Sequence, residues 1–216
     1  MEKKESIFVI CAHSDDQILG PGGTLAKYAK EGKEIFTIIF SYGETSHLWL
    51  KKRVSVEIRV KEAQAADGVI GGSGVVFFGI KEGKFFEEVE NKDLKDRIKK
   101  LLDEKKPSRV FTHVPDDVHE DHRAVYKIVN EILDEVSYKG DLLGFDVWNA
   151  VDLKKRQLPK VYIDISDTFG VKLKALHCFK SQIIAMLPPY LGVYITAFMN
   201  GLKNDCKYAE KFYKIK

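Results

Sequence analysis

The chain has 216 residues, 44% hydrophobic and 31% charged, with a formal net charge of +3. That length suffices for one domain, residues 1–216, whose core needs no disulfide or metal staple. The charge is small and lysine and arginine are interspersed with aspartate and glutamate, so no nucleic-acid partner is indicated. Cys11, Cys178 and Cys206 are odd in number and widely spaced, and read as reduced thiols of a cytoplasmic protein. The opening MEKKES leads into an apolar strand with no signal-peptide core.

Ile7 to Cys11 is a continuous apolar run, the pattern of a strand buried on both faces of a parallel sheet. His13, Asp15 and Asp16 follow its end, where open α/β sheets place ligands. One imidazole and two carboxylates there can supply metal ligands and a general base, although a polar turn with an aspartate cap has the same composition. A glycine turn (Gly20 to Gly23) precedes a helix over Thr24 to Glu31, and Glu34 to Phe40 forms the next strand. The result is a βαβ unit. Lys51 to Gly68 is a helix candidate, with Val54, Ile58, Ala65 and Val69 along its apolar side. Arg59 and Glu62 on it, taken alone, read as a surface ion pair of little energetic value.

Val75 to Phe78 is a third strand, Lys92 to Glu104 an amphipathic helix, and Arg109 to Thr112 a fourth strand. That strand ends in a second polar cluster: His113, Asp116, Asp117, His119, Asp121 and His122. Arg123 to Val136 reads as helix, Leu142 to Trp148 and Lys160 to Ile165 as strands, and Thr168 to Ser181 and Lys203 to Tyr213 as helices. No charged residue occurs between Ser181 and Leu202. The length approaches a membrane span. Pro188 and Pro189 argue against one, because paired prolines break a helix. A buried hairpin, a pocket wall or an oligomer contact is expected instead, with no integral span.

The two clusters follow different strands, and strand ends in a parallel sheet converge on one edge. Together they offer His13, Asp15, Asp16, His119, Asp121 and His122, enough for three ligands with a position left for water.

These residues resemble a known family. Ala12-His13-Ser14-Asp15-Asp16-Gln17, with Gly22-Gly23-Thr24-Leu25, is similar to the A-H-P-D-D-E … G-G-T-L signature of the LmbE/PIG-L-like de-N-acetylases. His119-Glu120-Asp121-His122 resembles the family's H-P-D-H motif. Weaker likenesses cover Ser41 to Glu44, Arg59 to Ala66, His177 to Gln182 and Tyr208 to Phe212.

The resemblance implies a Rossmann-like α/β fold, a mostly parallel sheet with helices on both faces and the site at the C-terminal strand ends. It implies one Zn2+ per chain, held by His13, Asp16 and His122, and removal of acetyl from an N-acetylglucosamine-type amino sugar or conjugate. Asp15 would be the base that activates zinc-bound water. His119 would stabilise the oxyanion if it is protonated and held by Asp121, and Arg59 would contact substrate. Ser14 and Gln17 depart from the motif but touch no implied ligand or base. A non-catalytic sugar- or nucleotide-binding module and a two-metal phosphoesterase are the alternatives. Peripheral contact with a lipid-linked sugar and homo-oligomerisation are further expectations from the apolar C-terminal third.

Overall fold

A computed structural model describes residues 4–43, 52–91, 93–147 and 156–216, except for the side chains of residues 52, 91 and 183–189. Glu44, Lys51, Lys92 and Trp148, which bound predicted motifs, lie outside the described residues.

Strand β1 (Ser6–Cys11) is buried throughout. Its side chains alternate between two cores, Ile7, Val9 and Cys11 on one face of the sheet and Phe8 and Ile10 on the other. That is why the run carries no polar alternation. Helices α1 (Asp16–Leu19) and α2 (Gly22–Lys30) lead to β2 (Glu34–Ile39), which pairs parallel to β1. Then come α3 (Lys52–Ile70), β3 (Gly74–Phe77), α4 (Phe85–Asn91), α5 (Leu94–Lys105), β4 (Arg109–His113), α6 (Glu120–Glu135) and β5 (Asp141–Phe145). The C-terminal third adds β6 (Lys160–Asp164), α7 (Phe169–Leu176), α8 (Ile183–Leu202) and β7 (Ala209–Lys214).

The seven strands run in the order β3-β2-β1-β4-β5-β7-β6. The first five are parallel, and β7 is antiparallel to both its neighbours. Order reverses between β1 and β4, which pair directly from Ile7↔Arg109 to Val9↔Phe111. A crevice at such a switch point is where open α/β sheets bind ligands, and both polar clusters come directly after these two strands. Core residues of α2, α3 and α7 cover one face, and those of α4, α5 and α6 the other. The architecture is the expected Rossmann-like sheet.

Three local expectations are corrected. Lys203 to Tyr213 is not a helix: Ala209–Lys214 forms β7, inserted between β5 and β6. Its composition tolerates a helix, but the two ladders it completes and the burial of Phe212 and Tyr213 decide for strand. The inner face of α3 is Ser55, Arg59, Ala63, Ala66 and Ile70, whereas Val54, Ala65 and Val69 are exposed. A buried arginine shifts the face away from the valines. Pro188 and Pro189 do not interrupt α8, which is continuous from Ile183 to Leu202. They delete two amide donors in its second turn and leave the amides from Tyr190 onward to carry the ladder. Among the described residues, no helix is long and apolar enough to cross a membrane.

A buried clamp fixes the loop behind the first cluster. Lys172 Nζ on α7 donates to the carbonyls of Leu19 (2.9 Å) and Gly20 (2.8 Å) and to Glu210 Oε1 (2.6 Å) on β7. Glu210 in turn accepts from the amides of Gly23 (2.9 Å) and Thr24 (2.8 Å) at the start of α2. A carboxylate there also satisfies the positive end of the helix. Gly20 must lack a side chain, because a Cβ would enter the Phe145 ring. Lys172→Met is expected to destabilise by about 3–5 kcal/mol, the cost of leaving a buried charge without its partner. Chemical denaturation measures it; a loss under about 1 kcal/mol would reduce the clamp to packing.

Candidate functional site

The turn after β1 is shaped by its own side chains. Asp15 O accepts from the amides of Ile18 (3.0 Å) and Leu19 (2.9 Å), which starts α1 and turns Asp16 back over the strand end. Asp16 Oδ2 then accepts the His13 amide at 2.8 Å. Gln17 is buried and its Nε2 donates to Ser14 O at 2.8 Å. This brace accounts for Gln17, since an ionised acid could not donate to that carbonyl.

From β4 and α6 comes the second half. His122, fully buried in the first turn of α6, places Nε2 3.5 Å from Asp16 Oδ1 and Nδ1 3.1 Å from Asp117 Oδ1. His13 places Nδ1 3.5 Å from Asp16 Oδ2 and Nε2 3.3 Å from Asp121 Oδ2. Each of these two imidazoles thus has Asp16 on one side and a second carboxylate on the other. Ligand atoms from His13, Asp16 and His122 lie within 4.8 Å of one another, in residues joined across the switch point. Two other trios, His13–His119–Asp121 and His113–Asp117–His122, meet the same distance. In the latter, His113 Nε2 is already the acceptor for the Ala12 amide at 3.1 Å. Its lone pair is committed there.

The electrostatics favour positive charge at this point. Burial lowers the affinity of His13 for a proton, but hydrogen bonds to Asp121 and Asp16 outweigh it and raise the pKa to about 10. His122, likewise against burial, is raised to about 9 by the charge of Asp16 and by Asp117. Burial and the adjacent His122 charge lower His113 to about 4. Burial opposes ionisation of Asp16, yet the charges of His122 and His113 hold it well below the usual carboxylate range. Two protons thus gather where a divalent cation would satisfy the same carboxylates. Both ring nitrogens of His122 are buried; Nδ1 faces Asp117 at 3.1 Å, and Nε2 makes no well-aligned hydrogen bond among the described residues. A metal on Nε2 would end that deficit, with Asp117 orienting the ring from behind. Two imidazoles and a carboxylate are a zinc donor set. The residues fit the ion.

Around the trio, Asp15 faces Arg59, with Oδ2 3.7 Å from Nη2. Arg59 is no surface residue: it is 2% exposed, with Nε and Nη1 unpartnered among the described residues. Gly43, at φ +72°, leaves room for its guanidinium. Nor does Arg59 pair with Glu62, which accepts from the Ser181 amide and hydroxyl, both at 2.7 Å, before α8. His119 caps α6, its Nδ1 accepting the Asp121 amide at 3.2 Å. The Asp121 carboxylate goes instead to His13 and to the Gly83 amide (2.9 Å). Burial and the charges of His122 and His13 lower the pKa of His119. The expectation of a protonated His119 held by the Asp121 carboxylate is therefore corrected to a ring oriented by a backbone amide.

Two further carboxylates have places at the site that no motif assigns. Asp117 is visible in the sequence cluster, but only the fold shows that it backs His122. Glu82, 3.9 Å from His13 Nε2, arrives on the loop between β3 and α4 with no motif to mark it.

A doubly wound α/β sheet with a histidine–aspartate cluster at its switch point defines the class. Residues 8–133, more than half of the chain, match the PIG-L family, described as GlcNAc-PI de-N-acetylase. The chain belongs to this family. It is 27% identical over 197 residues to a probable N-acetyl-alpha-D-glucosaminyl L-malate deacetylase 2 of Bacillus cereus, covering 84% of this chain and 85% of that one. It is also 27% identical over 199 residues to a 4-oxalmesaconate hydratase of Pseudomonas putida, covering 83% and 74%. Among solved structures, N,N'-diacetylchitobiose deacetylase from Pyrococcus horikoshii superposes with a TM-score of 0.75 at 22% identity, covering 98% and 84%.

Proposed function

We propose that the chain, as one catalytic domain over residues 1–216, is a cytoplasmic zinc-dependent hydrolase. It removes acetyl from an N-acetylglucosamine-type amino sugar or conjugate. The observation that carries this reading is the His13–Asp16–His122 trio, with Nε2 of His122 directed at Asp16, Nδ1 backed by Asp117, and Asp15 beside Asp16 in the chain. Zinc held there would act as a Lewis acid towards the acetamide carbonyl and acidify water. Asp15 takes the proton of the attacking water, its carboxylate kept in place by Arg59. His119, neutral and with Nδ1 occupied by the Asp121 amide, carries its proton on Nε2 and donates it as a hydrogen bond to the oxygen that gains charge. Asp15 then returns its proton to the departing amine. The Arg59 guanidinium, beside Asp15, is the donor for a hydroxyl or carboxylate of the substrate.

Metal content per chain and acetate release from N-acetylglucosamine and N,N'-diacetylchitobiose test the reading. One zinc with acetate release supports it. No metal after zinc is added back leaves a binding module, and two metals point to a phosphoesterase. A hydratase is the second reading, because a relative of that activity is as similar as the deacetylase. Both reactions deliver water to a trigonal carbon. Hydration of 4-oxalmesaconate without acetate release from either sugar would favour it.

The raised histidines set a pH dependence. His13 and His122 bind protons up to about 10 and 9 in the folded metal-free chain, against 6.5 when unperturbed. Their contribution to stability is full below 6.5 and is lost as pH rises through 9 to 10. Zinc must displace the same protons, so its affinity moves the opposite way. Between pH 6.5 and 9 the rise in Tm on adding zinc is expected to grow. A zinc-induced shift that shrinks over this window would contradict the ligand set.

A further inference from the structure

Helix α8 is patterned inside out. From Leu191 onward the residues it turns inwards are small: Val193, Ala197 and Gly201 are buried, and a Cβ on Gly201 would strike the carbonyls of Cys206 and Lys207 at 2.6 Å. The large ones face outwards. Leu191 is 63% exposed, Tyr194 47%, Ile195 55%, Phe198 49%, Met199 48% and Leu202 60%. These six account for most of the large exposed hydrophobic side chains of the described residues. A lone helix normally buries its large apolar face and exposes a polar one. Here the small face is buried and the large one is uncovered.

We infer that this face is where a second copy of the chain docks, α8 against α8, antiparallel about a twofold axis. Leu191, Ile195, Phe198 and Leu202 are spaced four, three and four apart, the seam of a helix pair. The six positions are symmetric about the midpoint between Thr196 and Ala197. Antiparallel pairing therefore sets Leu191 against the partner's Leu202, Ile195 against the partner's Phe198 and Tyr194 against the partner's Met199. An isologous interface needs that self-complementarity. At about half exposure, the six side chains present roughly 600 Å² per copy, or about 1,200 Å² in a pair, the lower end of specific interfaces. Charge favours a second copy over a lipid surface. Helices that lie on membranes carry lysine and arginine on their polar face, whereas α8 has no charged residue.

The experiment is sedimentation velocity of the full chain at micromolar concentration, with Phe198→Glu and Ile195→Glu alongside. The parent is expected at twice the chain mass of 24.6 kDa, and each variant, its fold checked by circular dichroism, at that mass alone. An Ile195→Cys/Phe198→Cys double variant is expected to form a covalent dimer on mild oxidation, which the parent with its three native cysteines does not. A monomeric parent, or a dimer that survives both glutamates, overturns the inference. So does a monomer that co-sediments with phosphatidylcholine–phosphatidylserine vesicles, which would assign the face to lipid.

Discussion

Replacing His122 by alanine is expected to lower zinc affinity by about a hundredfold or more, since even partners behind a ligand are worth 10–100-fold. His122 joins the two halves of the site, with Nε2 towards Asp16 after β1 and Nδ1 towards Asp117 after β4. Without it, Asp16 and Asp117 remain buried and lose the cation that holds both below the usual carboxylate range. Stability therefore also falls, and His122→Gln, which keeps most of the volume, separates folding from binding. Competition with a chromogenic chelator reads the affinity. If it is unchanged, the third ligand passes to His119, because His113 Nε2 is engaged by the Ala12 amide.

Asp15→Asn and Asp15→Ala are expected to retain zinc while losing turnover by about 10²–10⁴-fold, the usual worth of a positioned general base. Asp16, not Asp15, faces the imidazoles of His13, His113 and His122. Asp15 is partly open to solvent and directed at Arg59. Adjacent aspartates thus have separate surroundings, and removing one should not dismantle the other. Loss of bound zinc from either variant, by metal analysis of the purified protein, would reverse the division between them. Full turnover with zinc in place would move the proton transfer to His119.

The strand-end clusters are readable because their ingredients are local. A run such as Ile7 to Cys11 has one comfortable environment, and residues just past the end of a parallel strand lie at the ligand edge. The six candidates His13, Asp15, Asp16, His119, Asp121 and His122 need only the added premise that two such ends converge; choosing His13, Asp16 and His122 among them takes the family resemblance. The roles of Asp117 and of the Asp121 carboxylate are not readable. They depend on which way a carboxylate turns among several imidazoles, and spacing does not encode that. Arg59 looks like half of a surface pair because Glu62 lies three residues on along the same helix. The fold sends Arg59 inwards to Asp15 and Glu62 to Ser181.

By itself, then, the sequence determined the alternation of strands and helices, the family, and the residue types gathered at two strand ends. Periodicity and short motifs are enough for these, because both act over a few residues. Only the tertiary structure decided that Ala209–Lys214 is a strand, that α8 runs through two prolines, and that its large side chains face outwards. Each of these depends on a distant neighbour: the open edges of β5 and β6 for β7, and the close approach allowed by Gly201 for α8. Such neighbours contribute as much free energy as local propensity does, and no window of sequence contains them.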